Sequence, residues 1–99
     1  MNFKIILSPE SERTYSQNID YLLEKWTNKE AQLFIDKVNH TLSLLSINPE
    51  MGIAVKGKKI RKINAVTQVA IYYKIDHKKE VIEIITFWNN FQDPSKLQV

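Results

Sequence analysis

The chain has 99 residues, of which 43% are apolar and 25% are charged, so one globular domain over residues 1–99 needs no cross-link. It contains no cysteine, which excludes a disulfide framework, a thiolate zinc site, an iron–sulfur cluster and a cysteine nucleophile. No apolar stretch approaches the ~20 residues that cross a bilayer, and the run at residues 3–7 is too short for a signal peptide. We therefore predict a soluble, cytoplasmic protein with no metal, no other cofactor and no membrane partner.

Positive charge is concentrated in the second half of the chain. Residues 1–55 carry five Lys or Arg against seven Asp or Glu, whereas residues 56–99 carry nine against four. Five of those nine cations lie within residues 56–62. This asymmetry is typical of proteins that meet a polyanion, either a nucleic acid or an acidic peptide. The structural alternative is an edge strand whose lysines block further pairing.

The first half of the chain predicts a strand and two helices. Residues 3–7 form a β-rich run, and Ser8-Pro9-Glu10 then supplies an N-cap hydroxyl, a proline at the first helical position and an early acid. Apolar side chains at helical spacing continue this first helix over residues 9–26. Thr27 and Glu30 fit a capping box, which starts a second helix that ends before Pro49.

The second half predicts three strands, at residues 60–65, 69–75 and 81–88, followed by a short tail at residues 89–99. The whole is an α+β fold of order β-α-α-β-β-β, in which the helical hairpin covers one face of an antiparallel sheet. Because the chain is expected to reverse direction at each turn, we predict that the first strand runs antiparallel to the last if they are neighbours. The side chains expected in one core are Tyr15, Ile19, Leu22, Trp26, Phe34, Ile35, Val38, Leu42, Ile71, Tyr73, Ile84 and Trp88.

Candidate functional side chains cluster in the second half. The basic segment at residues 56–62 and Lys74 on the next strand are expected to share one surface that contacts phosphates. At the end of the last strand, two amides and an aromatic ring are placed either to bind and stack bases or simply to end the strand. His40 and His77 are expected on the surface without a catalytic role. The candidate nucleic-acid contacts are therefore Lys56, Lys62, Lys74, Asn89, Asn90 and Phe91.

The order and spacing of five phrases are informative: FKIILSPESERTYSQNIDYLLEKW, LLSINPEMG, IRKI, AIYYKID and VIEIITFW. Together they resemble the RelE/ParE superfamily of bacterial type II toxin–antitoxin toxins, which includes plasmid stabilisation proteins. The resemblance covers nearly the whole chain. It implies the same β-α-α-β-β-β fold, arrest of bacterial growth, and a cognate antitoxin whose C-terminal segment wraps the toxin.

The resemblance leaves the target of the toxin open. Some members of the superfamily cut ribosome-bound mRNA, and this translation-inhibiting endoribonuclease activity is our first expectation. The ParE branch poisons DNA gyrase, which is the alternative. A third alternative is a degenerate toxin-like domain that binds only an antitoxin or a nucleic acid.

For the ribonuclease, there are four candidate catalytic residues, of which Arg61 is matched to the family and the other three are chosen by the chemistry of the cleavage. The 2′-OH of the substrate attacks the adjacent phosphate, so the enzyme needs a base, an acid and a group that stabilises the crowded phosphate. Arg61 in IRKI matches a family arginine and is expected to provide that stabilisation from a solvated sheet face. Lys58 or Lys59 is expected to act as the base, and Tyr73 is the nearest hydroxyl for the acid, with a purely structural place in the core as its alternative.

The chain departs from the ribonuclease pattern at two places. Lys74 stands where the family usually has an arginine, which keeps the charge but loses the bidentate fork. Asn89, Asn90 and Phe91 stand where ribonucleases place His, Arg or Tyr, and none of the three exchanges a proton near neutral pH. This second departure favours the gyrase alternative, because inhibition by binding needs no proton transfer.

Overall fold

Two helices cover one face of a five-stranded sheet in the computed structural model, which describes residues 2–97 and residue 99. The elements are β1 (Lys4–Leu7), α1 (Pro9–Lys25), α2 (Asn28–Ile47), β2 (Ile53–Ala54), β3 (Arg61–Val66), β4 (Val69–Asp76) and β5 (Val81–Asn89). Single turns of 3-10 helix lie at Pro49–Met51 and Pro94–Lys96. The predicted α+β architecture is confirmed, with both helices and the three long strands near their predicted bounds.

Both helices begin at the predicted caps. Ser8 Oγ accepts a hydrogen bond from the backbone N of Ser11 at 3.0 Å, and Thr27 Oγ1 accepts one from the backbone N of Glu30 at 3.2 Å. Each bond satisfies a donor that the first helical turn leaves without an intrahelical partner. Because only two residues separate α1 from α2, the helices form the expected antiparallel hairpin. No helix among the described residues is long and apolar enough to cross a membrane.

The strands lie in the order β1-β5-β4-β3-β2, and β1 runs parallel to β5. The prediction of an antiparallel pair was wrong. The reason is β2, a two-residue strand that pairs antiparallel with the start of β3 and that the sequence pattern did not predict. The β2–β3 hairpin adds one chain reversal, which inverts the directions of β3, β4 and β5 relative to β1.

The main core lies between the sheet and the helices. Phe34 and Phe87 are buried in it, and the ring of Tyr15 packs at 5.5 and 5.2 Å from their centroids. Trp26 was wrongly predicted to be buried, because it lies at the end of α1 and is 45% exposed. The other predicted core residues, apart from Trp88, lie in this core or pack against it.

Trp88 packs on the opposite face of the sheet because β5 contains a bulge. The β4–β5 register shifts between the pairs Tyr72–Thr86 and Tyr73–Ile84, which inserts one extra residue into β5. The insertion reverses the side-chain alternation, so Phe87 faces the helices and Trp88 faces away.

The face of the sheet away from the helices, here called the open face, carries a second apolar cluster. Ile60, Ala70 and Tyr72 are buried there, and Leu97 and Val99 pack against them. The predicted tail therefore returns across the open face and covers part of it.

Candidate functional site

A buried tyrosine fastens the segment between α2 and β2. The hydroxyl of Tyr73 donates to the carbonyl of Pro49 at 2.8 Å and accepts from the backbone N of Gly52 at 2.9 Å. The side chain has no exposed surface, and this burial raises the pKa of Tyr73. Its hydroxyl is committed to two backbone groups inside the protein, which does not suit the acid role expected from the sequence.

Arg61 pairs with Tyr73 in the β3–β4 register and holds the same segment. Its guanidinium donates to the carbonyls of Gly52 at 2.7 Å and Glu50 at 3.2 Å, and lies 3.7 Å from the Glu50 carboxylate. With 29% of its side chain exposed, Arg61 is not on a solvated sheet face, and that expectation was wrong. We call Arg61, Tyr73 and residues 49–52 the loop clamp.

The β2–β3 hairpin carries part of the basic segment at its tip. Val55 N donates to Ile60 O at 2.9 Å, and Lys58 N donates to Val55 O at 3.1 Å, so residues 55–58 form a β-turn. Gly57 has φ +78°, the value that the third position of a type II turn requires and that glycine adopts without strain. Gly57 is visible in the sequence and is a signal for this turn, although not for the strand that precedes it.

The hairpin and the end of β4 line a small, open pocket of about 230 Å³, here called the basic pocket. Its lining residues are Ala54, Lys58, Lys59, Ile60, Arg61, Lys74, Ile75 and His77. Lys74 reaches it from β4 and pairs with Glu83 on β5 at 3.1 Å. Lys58 Nζ donates to the carbonyl oxygen of Val99 at 2.5 Å. The structure thus brings Lys74 together with part of the basic segment.

His77 belongs to this pocket, although the sequence analysis gave it no role. Its ring meets the ring of Phe3 edge to face, with centroids 5.9 Å apart and planes at 85°. The turn that carries it is fixed by Asp76 Oδ1, which accepts from the backbone N of Lys79 at 3.0 Å. A histidine in a polar turn gives no signal in the sequence, because its position beside the lysines depends on the pairing of β3 with β4.

Lys56 and Lys62 lie outside the basic pocket. Lys56 is exposed at the tip of the β2–β3 hairpin. Lys62 is exposed, and its register partner on β4 is Tyr72 of the open-face cluster. The two lysines extend the positive surface from the pocket along the hairpin and across the sheet.

The amides at the end of β5 are engaged in structural hydrogen bonds. Asn89 is 3% exposed, and its Oδ1 accepts from the backbone N of Phe91 at 2.8 Å. Asn90 Nδ2 donates to Asn64 Oδ1 at 3.3 Å and to the carbonyl of Thr67 at 3.0 Å. These bonds fasten the turn that ends the strand.

Phe91 is 60% exposed and lies over Trp26, with ring centroids 6.2 Å apart and planes at 22°. This exposed pair leaves an aromatic surface at the end of β5, but not beside the basic pocket. Asn89 pairs with Val69 at the start of β4, whereas Lys74 lies five residues further along that strand, or about 17 Å at 3.4 Å per residue. The predicted site residues therefore fall into two groups at opposite ends of β4.

Two helices packed on a mostly antiparallel five-stranded sheet, with a basic hairpin leading into β3, give the architecture that the resemblance implies. The chain belongs to the ParE toxin family of type II toxin–antitoxin systems (parDE), whose family model matches residues 5–94.

The fold is similar to that of a chain in the crystal structure of the toxin–antitoxin complex RelBE2 from Mycobacterium tuberculosis. The TM-score is 0.62 at 12% identity, and the match covers 91% of this chain and 100% of that chain. No curated protein matches the sequence significantly. Membership of the ParE family makes the protein a toxin of a type II toxin–antitoxin system.

Proposed function

We propose that this toxin inhibits DNA gyrase by binding, and that its basic pocket meets nucleic acid in the gyrase complex. The proposal rests on the hydrogen bonds that already engage the groups a ribonuclease would need for proton transfer. The hydroxyl of Tyr73 is enclosed in the loop clamp, and Asn89 and Asn90 are fastened in the turn after β5. An inhibitor that acts by binding needs no proton transfer, so the engagement of these groups does not impair its activity.

The exposed lysines support contact with nucleic acid at the target. Lys56, Lys59 and Lys62 are all exposed on the hairpin or on the adjoining sheet. Lysines in such positions neutralise backbone phosphates and give binding that depends on salt but little on sequence. That behaviour suits an inhibitor that meets DNA already held by an enzyme.

Cleavage of ribosome-bound mRNA is the second candidate, because the basic pocket gathers the cations Lys58, Lys59, Arg61 and Lys74 on one surface. In that reaction Lys58 or Lys59 accepts the proton of the attacking 2′-OH. Arg61 stabilises the crowded phosphate only after its guanidinium leaves the carbonyls of Gly52 and Glu50. The second candidate therefore requires the loop clamp to open.

Two assays on the purified toxin separate the candidates. One measures supercoiling of plasmid DNA by gyrase, and the other measures cleavage of ribosome-bound mRNA by primer extension. The proposal expects inhibition of gyrase without new mRNA ends. Lys59→Gln should weaken the inhibition several-fold, whereas Lys37→Gln, an exposed α2 lysine outside the basic pocket, should leave it unchanged. Cleavage of mRNA without inhibition of gyrase would move the assignment to the second candidate.

The antitoxin is proposed to cover an exposed apolar stripe on α2. Leu33, Leu44 and Ile47 are 42%, 40% and 67% exposed, and their spacing places them on one side of the helix. Induction of the toxin alone should arrest bacterial growth, and co-expression of its antitoxin should restore it. Leu44→Lys should remain toxic but resist rescue. Asn39→Lys, a substitution at an exposed position on another side of α2, should be rescued like the unchanged toxin.

A further inference from the structure

A segment beyond β5 covers part of the open face of the sheet. It comprises residues 92–97 and residue 99, and we call it the strap. After one turn of 3-10 helix at Pro94–Lys96, Leu97 and Val99 pack against the open-face cluster around Tyr72. Both long helices lie on the other face of the sheet, so these two apolar side chains help to keep the cluster from water.

The strap is fastened to the sheet by few contacts. Its backbone hydrogen bonds are local: Lys96 N donates to the carbonyl of Asp93 at 3.0 Å, and Leu97 N donates to that of Pro94 at 3.1 Å. Among the described residues, one hydrogen bond joins the strap to a distant part of the chain, from Lys58 Nζ to the carbonyl oxygen of Val99. A segment with few buried contacts opens at a lower free-energy cost than the core does.

An open groove of about 640 Å³ lies between the strap and α1. Gln92, Lys96 and Leu97 line it on the side of the strap, and Gln17 and Tyr21 are among the α1 residues that line the other side. The strap is therefore separated from this part of the helix by open space. Its release would leave the main core between the helices and the sheet undisturbed.

The surface beneath the strap continues into the basic pocket. Ala70, Tyr72 and Lys74 alternate along β4, so they lie on the same face of the sheet. The first two belong to the cluster that the strap covers, and Lys74 lines the pocket. Lys58, whose ammonium group contacts the Val99 carbonyl, lines the pocket as well. Release of the strap would therefore uncover the apolar surface around Tyr72 and free Lys58 in one step.

The closed position of the strap is favoured only weakly by these contacts. Leu97 and Val99 are both partly exposed, so each buries only part of its apolar surface. The contact of Lys58 with a backbone carbonyl is exposed to water and adds little. An equilibrium held by contacts of this kind leaves a minor open state, typically about 0.1–10% of the molecules.

We propose that the strap is an autoinhibitory contact: it masks the open face of the free toxin, and its release exposes the surface that meets the target. A target that binds only the open state has its apparent affinity reduced by the fraction of molecules that are open. The inference rests on the proposed function in one respect, because it takes the surface beside the basic pocket as the one that acts. It applies whether the target is gyrase or ribosome-bound mRNA.

The mask is tested first in the free toxin. Leu97→Asp places a carboxylate where the leucine packs, which disfavours the closed position. In a Trp26→Phe background Trp88 is the only tryptophan, and it packs against the covered cluster. Acrylamide should quench the fluorescence of Trp88 more strongly in Leu97→Asp. Ser95→Asp adds the same charge at an exposed position of the strap and should leave the quenching unchanged.

Potency is then measured in the gyrase and mRNA assays described above, and as growth arrest at matched expression. Leu97→Asp should act at a concentration about threefold to tenfold lower than the unchanged toxin, because more molecules are open. Val99→Asp should reproduce the gain, since its side chain packs against the same cluster. Ser95→Asp, which matches the added charge, should give no gain.

Stronger quenching of Trp88 without a gain in potency would overturn the proposal, because the uncovered surface would not be the one that acts. Unchanged quenching in both Leu97→Asp and Val99→Asp would overturn it as well. Thermal unfolding checks that the variants remain folded, and Leu97→Ala gives a milder release if the carboxylate prevents folding. A gain in mRNA cleavage with gyrase left active would retain the strap and reject the gyrase proposal. Inhibition of gyrase that none of these substitutions strengthens would do the reverse.

Discussion

The hydroxyl of Tyr73 occupies the space that a side chain at Gly52 would need. A Cβ added to Gly52 would lie 2.5 Å from Tyr73 Oη and 2.9 Å from the carbonyl oxygen of Lys62. The backbone of Gly52 has φ −74°, which any residue adopts, so this glycine is required for space and not for its conformation. The hydrogen bond from Gly52 N to Tyr73 Oη depends on that close approach.

Replacement of Gly52 by Ala should therefore destabilise the protein by about 1–3 kcal/mol, the usual cost of overpacking a closely packed site. The free energy of unfolding in urea measures the loss. Tyr73→Phe in the same background should recover part of the loss, because it removes the closest atom but leaves the ring carbon Cε1 and the Lys62 carbonyl, both 2.9 Å away. Strictly additive effects of the two substitutions would contradict the clash.

The buried tyrosines should make the protein less stable at high pH. Burial raises the pKa of Tyr73, and also those of Tyr15 and Tyr72, above the ordinary tyrosine value of about 10. The folded state therefore keeps these protons where the unfolded chain releases them. Their stabilisation is complete below about pH 10 and is lost as the pH rises through the folded-state values.

Tyr73→Phe tests this dependence directly. At neutral pH the substitution should cost about 1–3 kcal/mol, since the Gly52 N–H loses its acceptor inside the protein. Between about pH 9 and pH 11 its free energy of unfolding should fall less steeply than that of the unchanged protein. Equal slopes would mean that Tyr73 ionises alike in both states. Urea unfolding at a series of pH values gives both slopes.

Glu80, in the turn between β4 and β5, has a left-handed backbone conformation with φ +55°. A residue other than glycine is strained there, because its Cβ crowds the backbone. Glu80→Gly should raise the free energy of unfolding by about 0.5–1 kcal/mol, after the greater freedom of the unfolded glycine is allowed for. Lys78→Gly, in the same turn without a positive φ, should instead lower it. Thermal unfolding measures both changes.

The sequence predicted the helices well because their signals are local. Ser8, Pro9 and Thr27 mark helix starts by their own hydrogen-bonding chemistry, and the structure uses them in that way. The strand direction and the face of Trp88 were not predicted, because the first depends on a short extra strand and the second on a bulge in β5. A two-residue strand and a one-residue bulge are below the length at which periodicity gives a signal.

The candidate site was predictable only in part, for a similar reason. Lys58, Lys59 and Lys74 share one pocket because neighbouring strands bring them together, which strand order alone predicts. The position of His77 requires the β3–β4 register. The Tyr73 hydroxyl is enclosed because residues 49–52 pass over it. No pattern in the sequence predicts the path of that segment.

Arg61 provides the sharpest test of the loop clamp. Arg61→Ala removes donors from two carbonyls of the segment before β2, so it should cost about 1–3 kcal/mol of folding free energy. Lys62→Ala, one residue along β3 with an exposed side chain, should change it by less than about 0.5 kcal/mol. Glu50→Gln should also have little effect, because the ion pair with Arg61 is 3.7 Å long and Glu50 is 63% exposed.

The activity of Arg61→Ala distinguishes the clamp role from a catalytic one. At a temperature where the variant is fully folded, inhibition of gyrase should weaken only several-fold, because the hairpin is held less firmly while its lysines remain. Arg61→Lys should recover little stability, since one ammonium group does not reproduce the planar fork that reaches both carbonyls. If folded Arg61→Ala instead loses about 10²–10³-fold in mRNA cleavage, its guanidinium stabilises the transition state, and the clamp must open during the reaction.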